Sequence, residues 1–260
     1  MTKRAIFITG AALGIGHATA ELFAARGWFV GLYDVNETGV RELRQKLGEG
    51  NCTAGRVDVT DAEGLRRAVE EFCKSSGGRL DVMFNNAGIA AVDAFENVPI
   101  ARSHAIVDVN LKGVINGCYA ALPHLQRTPG ARLISMASAS AIYGAANLAV
   151  YSATKFAVRG LSEALDIEWS RYGIKVMDLM PLFVNTPMVA QFASKPKAFD
   201  RLGMHLQPED LAQAVWKAAN RHVWLCPVHW YPGLQTKLSA FMSKISPAFL
   251  NRLVNKLLQS

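Results

Sequence analysis

The sequence predicts an α/β protein: one doubly wound parallel sheet with helices on both faces, followed by a C-terminal helical extension. Three observations carry that prediction. Six short apolar runs alternate with helical patterns, as in a parallel sheet whose crossovers are helices. A glycine-bearing turn, "TGAALGIG" at residues 9–16, joins the first run to the first helical pattern. No internal repeat, low-complexity block or Pro/Gly/Ser-rich linker divides the 260 residues, so one domain is expected over 1–232, with 233–260 as the extension.

Each element follows from its own residues. "RAIFITG" (4–10) is the first strand, and the pattern from about 14 to 26 is the first helix, which Gly27 stops as a C-cap glycine would. "WFVGLYD" (28–34) is the second strand and "GVRELRQKL" (39–47) the second helix. "CTAGRVDVT" (52–60) and "DAEGLRRAVEEFCKSSG" (61–77) repeat the pair, with Asp61 as the N-cap. "LDVMFNNAG" (80–88) is the fourth strand, and a long helix containing Asn110 follows it. Then come the strand "ARLISMAS" (131–138), a helix from about 150 to 171, and the sixth strand, "IKVMDLMP" (174–181).

Composition narrows the class. Half of the residues are hydrophobic and 19% are charged, which excludes a disordered chain. No apolar run reaches the roughly 18 residues of a membrane-spanning helix. The basic start "MTKRAIFITG" lacks the apolar region and cleavage site of a signal peptide, so a cytoplasmic protein is expected. Cys52, Cys73, Cys118 and Cys226 have neither CxxC nor Cys/His spacing, which implies reduced thiols and no metal site. The net charge of +7 is concentrated late. After Glu209 and Asp210 come Lys217, Arg221, Lys237, Lys244, Arg252 and Lys256, with no further carboxylate side chain.

The glycine turn points to a nucleotide. Gly10 permits a tight turn, Gly14 lets backbone approach a pyrophosphate, and Gly16 allows close helix–strand packing. Leu13 and Ile15, between the glycines, are candidate contacts of the same loop. The helix N-terminus behind them offers free N–H groups and a partial positive charge to phosphates. Three glycines also suit a purely structural turn; the strand before and the helix after favour the nucleotide. Asp34 closes the second strand, where a carboxylate accepts from ribose hydroxyls and repels a 2′-phosphate. The residues after it are Val35 and Asn36, not Arg or Lys, which favours NAD over NADP. Its structural alternative is an N-cap for the next helix.

Tyr151 and Lys155 lie four residues apart in "AVYSATKFAVRG", hence on one helix face about 5–6 Å apart at Cβ. An ammonium beside a phenol favours phenolate and draws the tyrosine pKa down from about 10. Such a phenol can pass a proton to or from a carbonyl or alcohol oxygen. Ser138, at the end of the fifth strand, can hold that oxygen, although Ser135 and Ser140 compete for the role.

Together these pieces resemble the short-chain dehydrogenase/reductase family from about residue 4 to about 190. "TGAALGIG", "YDV", "VDVT", "NNAG" (85–88), "DVNLKG" with Asn110, Ser138 and "YSATK" occur in the family's order. The resemblance implies a Rossmann-type fold and a nicotinamide cofactor. It further implies that Ser138 orients the substrate oxygen and that Tyr151 is the general acid or base. Lys155 would tune Tyr151 and bind the nicotinamide ribose, and Asn110 would hold a relay water at an irregularity in its helix. Asp58 and Val59 would contact the adenine, Asn86, Ala87 and Gly88 the adenosine side, and Val184 and Thr186 the nicotinamide. The family usually carries Pro-Gly after the sixth strand; here Leu182 follows Pro181, which puts the local backbone path in question. Homodimers or homotetramers built on the helices around Asn110 and Tyr151 are the family's usual assemblies. Alternatives are an NADPH-dependent carbonyl reductase and a non-catalytic nucleotide sensor, the latter disfavoured by the retained Asn110, Ser138, Tyr151 and Lys155.

Residues 187–206 fall at the family's substrate lid and are strongly apolar through Met188, Val189, Phe192, Phe199, Leu202 and Met204. They suit a lipophilic alcohol or ketone, or simply pack the lid. The tail reads as two amphipathic helices. Leu234, Leu238, Phe241, Met242 and Ile245 mark the first; Pro247 restarts the pattern for Phe249, Leu250, Leu253, Val254, Leu257 and Leu258. Core or dimer packing, peripheral contact with an anionic membrane through 234–258, a partner protein, and a cover over the substrate mouth all suit these stripes. Nucleic acid does not, since the cations are spread through apolar helices with no recognised binding module. "WLCPVHWYPG" (224–233), with two of the five tryptophans, suits either lining the pocket or seating the tail.

Overall fold

The computed structural model describes residues 3–190, 203, 206–222 and 225–259. Its strands are β1 (Ala5–Thr9), β2 (Phe29–Asp34), β3 (Cys52–Arg56), β4 (Val82–Asn85), β5 (Arg132–Met136), β6 (Lys175–Leu179) and β7 (His229–Trp230). They form one sheet in the order β3-β2-β1-β4-β5-β6-β7, parallel at every pairing. The expected doubly wound, Rossmann-type architecture is present. β1, β4 and β5 are buried end to end because helices cover both of their faces; β1 and β4 are mostly apolar, while β5 also buries Arg132 and Ser135.

Helices α1 (Gly14–Ala25), α2 (Glu37–Leu47) and α8 (Pro208–Asn220) close one face, with Phe23, Leu43 and Val215 in its core. Helices α3 (Ala62–Ser75), α5 (Gly113–Leu125) and α6 (Ala149–Trp169) close the other over Phe72, Leu125 and Val158. Gly31 in β2 is required there. A Cβ would stand 2.7 Å from the Phe72 ring, which packs edge-on against Phe7 at 5.5 Å. The short helices α4 (Ile100–Val107) and α7 (Pro187–Ala190) border the carboxyl edge of the sheet, and α9 (Leu234–Ile245) and α10 (Ala248–Gln259) form the extension.

Local chemistry sets the boundaries. Asp61 caps α3 by accepting from the Gly64 N–H at 3.0 Å, and Gly27, at φ 78°, turns the chain out of α1. Two elements differ from the sequence-based expectation, and a third carries the irregularity that the resemblance implied. β3 stops at Arg56 because Asp58 Oδ1 takes both the Thr60 N–H and its hydroxyl, folding an Asx turn where strand was expected. The long helix around Asn110 is interrupted by a π-helical turn, Asp108–Lys112, with Asn110 fully buried inside it. β7 was not anticipated, since two residues of strand have no readable period; it is recruited by pairing Asp178 with His229 and Leu179 with Trp230.

His229 also closes a polar network at that edge. Its Nδ1 meets Asp178 Oδ2 and its Nε2 meets Glu163 Oε1, each at 2.8 Å. Burial pulls the imidazole pKa down, but the hydrogen bond and charge of Asp178, then Glu163, carry it above its ordinary value. A raised histidine pKa contributes stability that is complete below about 6.5 and is lost as pH rises through the folded value. Thermal melts should therefore show His229→Gln several degrees less stable than the parent at mildly acidic pH, with the gap closing as pH rises. A gap independent of pH would remove the imidazolium from that account.

Candidate active site

In the strand order, β1 stands between β2 and β4, so the chain's path reverses direction there and the loops at the carboxyl ends part to leave a crevice. A cavity of about 530 Å³ occupies it. Gly10, Leu13, Gly14, Ile15 and Asp34 line one end; Ser138, Tyr151, Lys155, Val184 and Thr186 line the other, with Asn86, Ala87 and Gly88 along the wall. Those thirteen predicted residues share one space. Gly16, Asp58, Val59 and Asn110 stand behind it and do not line it.

The glycine turn is built by close approach. Gly10 (φ 68°) and Gly14 (φ 57°) occupy the left-handed region. A Cβ on Gly16 would stand 2.1 Å from the Gly10 carbonyl oxygen, so α1 starts directly against the end of β1. Asn86 braces the turn, its Nδ2 donating to the Thr9 and Gly10 carbonyls at 3.0 Å each. Thr9 Oγ1 in turn accepts from the Asn86 and Ala87 N–H groups at 3.0 and 3.1 Å. Thr9 is a bracing residue that sequence reasoning passed over, its signal being only a buried polar residue beside the first glycine. At the far side a Cβ on Gly14 would meet Thr186 Cγ2 at 3.4 Å, so the glycine turn and the loop after β6 face each other.

Asp34 is not the helix cap. Asn36 is, accepting from the Gly39 N–H at 3.1 Å. Asp34 instead accepts the Ala12 N–H at 3.0 Å and the Asn36 N–H at 2.9 Å, which aims its carboxylate at the crevice beside the turn. An unphosphorylated ribose edge fits that position; a 2′-phosphate would meet a fixed negative charge. Asp58 Oδ1 accepts the Thr60 N–H at 2.9 Å and the Thr60 hydroxyl at 2.8 Å, and the Val59 carbonyl accepts from Asn116 at 2.9 Å.

At the other end, α6 presents Tyr151 and Lys155. Lys155 is 3% exposed, with Nζ 5.4 Å from the Tyr151 ring centroid and donating to the Met136 carbonyl at 2.7 Å. Burial draws its pKa down to about 8. Tyr151 departs from the sequence expectation: burial pushes the phenol above its ordinary value, and a side-chain hydrogen bond from Ser138 pulls part of the way back. The phenol, half-buried in the cavity wall, is shifted toward its protonated form where spacing alone suggested phenolate. Among the competing serines, Ser135 is sealed inside β5, whereas the buried Ser140 also lines the cavity.

Asn110 works on backbone. Its Oδ1 accepts the Ile89 N–H at 2.8 Å and its Nδ2 donates to the Ile89 carbonyl at 2.9 Å, with Thr154 Oγ1 at 3.4 Å. The π-helical turn brings this amide against the strand loop that carries Gly88. Leu182 is accommodated without strain: among the described residues Asn147 is the one non-glycine with positive φ. The Leu182 N–H donates to Thr236 Oγ1 of α9 at 3.3 Å, and its side chain lines the cavity. Of the expected lid, Phe192, Phe199, Leu202 and Met204 lie outside the described residues; Met188 and Val189 line the cavity. No group of His, Cys, Asp and Glu among the described residues could hold a metal ion, and the four cysteines are buried free thiols.

The chain matches the family model described as short chain dehydrogenase over residues 4–197. It is 32% identical over 220 residues to a cyclohexanol dehydrogenase of Acinetobacter sp. (strain SE19), covering 82% of this chain and 86% of that one. It is 28% identical over 217 residues to an NAD-dependent glycerol dehydrogenase of Listeria innocua serovar 6a, covering 82% and 85%. A crystal structure of 3-ketoacyl-(acyl-carrier-protein) reductase from Brucella melitensis complexed with NADH is similar at TM-score 0.80 and 28% identity, over 88% of this chain and 96% of that chain.

Gly16→Ala tests the close approach. The atom in its way is a backbone carbonyl, not the end of a flexible side chain, so α1 must shift. The expected cost is about 1–3 kcal/mol of stability, read as a lower melting temperature; an unchanged melt would show that the turn has room to yield.

Proposed function

This chain belongs to the short chain dehydrogenase family, and from that membership we propose that it is an NAD(H)-dependent oxidoreductase interconverting a lipophilic secondary alcohol and its ketone. One observation carries the reading. A single cavity is lined both by the glycine turn and Asp34 and by Ser138, Tyr151 and Lys155, so one dinucleotide could meet the first group with its adenosine side and the second with its reacting ring.

The glycine turn and the start of α1 would hold the pyrophosphate, Asp34 the adenosine ribose, and Lys155 the nicotinamide ribose, with Val184 and Thr186 against the nicotinamide. When bound, the nicotinamide supplies or accepts the hydride. The chain's own task is the proton. In reduction, Ser138 holds the carbonyl oxygen and Tyr151 Oη donates its proton as that oxygen becomes an alcohol. Burial supports this direction of transfer, because the phenol keeps its proton until substrate arrives. The Lys155 ammonium beside the ring then stabilises the phenolate. Asn110, by fixing Ile89 and the wide turn of its own helix, positions the wall against which a relay water would sit. In oxidation the same groups act in reverse.

The substrate class rests on the cavity's other lining. Leu148, Leu182, Phe183, Met188 and Val189 supply its apolar surface, while Arg102 and Asn255 are polar lining besides the serine and tyrosine hydroxyls. Cyclohexanol dehydrogenase, named above, is by its name an enzyme of a small alicyclic alcohol, which agrees with this class.

Two experiments follow. Tyr151→Phe should lower kcat about 10²–10⁴-fold while leaving cofactor affinity nearly unchanged, as measured by steady-state kinetics and NADH fluorescence titration; near-normal turnover would take the phenol out of the mechanism. Titration of the parent with NADH and NADPH should give tighter binding of NADH, and Asp34→Ala should narrow that gap about tenfold or more. Tighter NADPH binding by the parent would make it an NADPH-dependent carbonyl reductase instead.

A further inference from the structure

The two tail helices are turned inside out with respect to the body. On α9 the residues facing the protein are Thr236 and Ala240, both buried, while Leu234, Leu238, Phe241 and Ile245 are 59–82% exposed on the opposite side. On α10 two of the described inward positions are the polar residues Asn251 and Asn255. Asn251 Nδ2 donates to the Ser243 and Ser246 carbonyls, and Asn255 lines the cavity. Phe249 (73% exposed) and Leu253 (50%) point away. A helix that only packed onto its own domain would show the reverse arrangement, with its apolar stripe inward. Lys237, Lys244, Arg252 and Lys256 stand, by helical spacing, beside the apolar stripes on the exposed side.

We propose that α9 and α10 dock this protein on an anionic lipid bilayer, with their apolar stripes in the acyl boundary and the four cations at the headgroups. The charge selects this occupant. No Asp or Glu follows Asp210, so a second copy pairing stripe to stripe about a two-fold axis would set cations against cations with no carboxylate to answer them. Anionic headgroups supply that charge, and lysines near such a surface each add attraction. The helices, 12 residues apiece, lie on the bilayer; no helix among the described residues is long and apolar enough to cross it. Because Asn255 is on the inward face of the docked helix, the cavity then sits about one helix diameter, roughly 10 Å, from the lipid. The inference stands on the exposed faces and holds whether or not the cavity carries out the proposed reaction.

Flotation of the full chain with vesicles decides it. The parent should float with vesicles of phosphatidylcholine mixed with phosphatidylglycerol, much less with phosphatidylcholine alone, and be released by high salt. The double variant Phe249→Asp, Leu253→Asp should keep the parent's circular dichroism and melting temperature, since both side chains are exposed, and lose binding at least about tenfold. Three results would overturn the proposal: no flotation with either vesicle, equal flotation with both, or a parent dimer that the double variant turns into a monomer by sedimentation velocity. None of these readouts depends on turnover, so a failure here is distinguishable from a failure of the oxidoreductase reading.

Discussion

The close approach of α1 to the end of β1 governs the rest of the molecule. With the Gly10 carbonyl only 2.1 Å from where a Gly16 Cβ would be, the helix begins directly against the strand. Its N-terminus then opens into the crevice between β1 and β4 and is not spent on a longer connection. Asn86 and Thr9 tie β4 to the same turn with hydrogen bonds of 3.0–3.1 Å, which fixes the crevice from both sides. The position of Asp34 is a consequence, because one of its oxygens is held by the Ala12 N–H of that turn.

The far end of the cavity obeys a different constraint, the cost of burying ionisable groups. Lys155 is almost wholly buried and keeps an acceptor in the Met136 carbonyl at the end of β5, yet its pKa still falls to about 8. Tyr151 feels the same burial and moves upward. Both shifts favour the neutral form, so the protein without substrate holds an uncharged phenol. The two ends depend on one sheet. β1 and β5 each deliver a backbone carbonyl or glycine to the crevice only because they lie on either side of β4 in parallel register.

The extension is linked to this framework through few groups. Thr236 accepts the Leu182 N–H in the loop after β6, so the residue that replaces the family's usual glycine is tied to α9. Asn255 carries α10 to the cavity wall. An apolar outward face distinguishes this segment from a helix such as α3, whose outward face carries ion pairs of Arg66 with Glu63 and Glu70.

Much of the fold and site was legible in the sequence because it is local in origin. Apolar runs of strand length, Gly27, Asp61 and the glycine turn each act within a few residues, and Tyr151 and Lys155 share a helix face by spacing alone. What stayed hidden depends on neighbours remote in the chain. β7 exists because β6 offers it partners. That Asp58 Oδ1 would fold the chain back onto Thr60 is a choice among local partners that residue type does not rank. The direction of the Tyr151 shift is set by burial, which outweighs the hydrogen bond with Ser138 and which helix spacing does not show. The sequence by itself determined the order of strands and helices and the residues that could do chemistry, since periodicity and turn preference are short-range. Only the tertiary structure decided which of those residues share a cavity, which protons they keep, and which way the tail helices face, since burial and contact are properties of the packed whole.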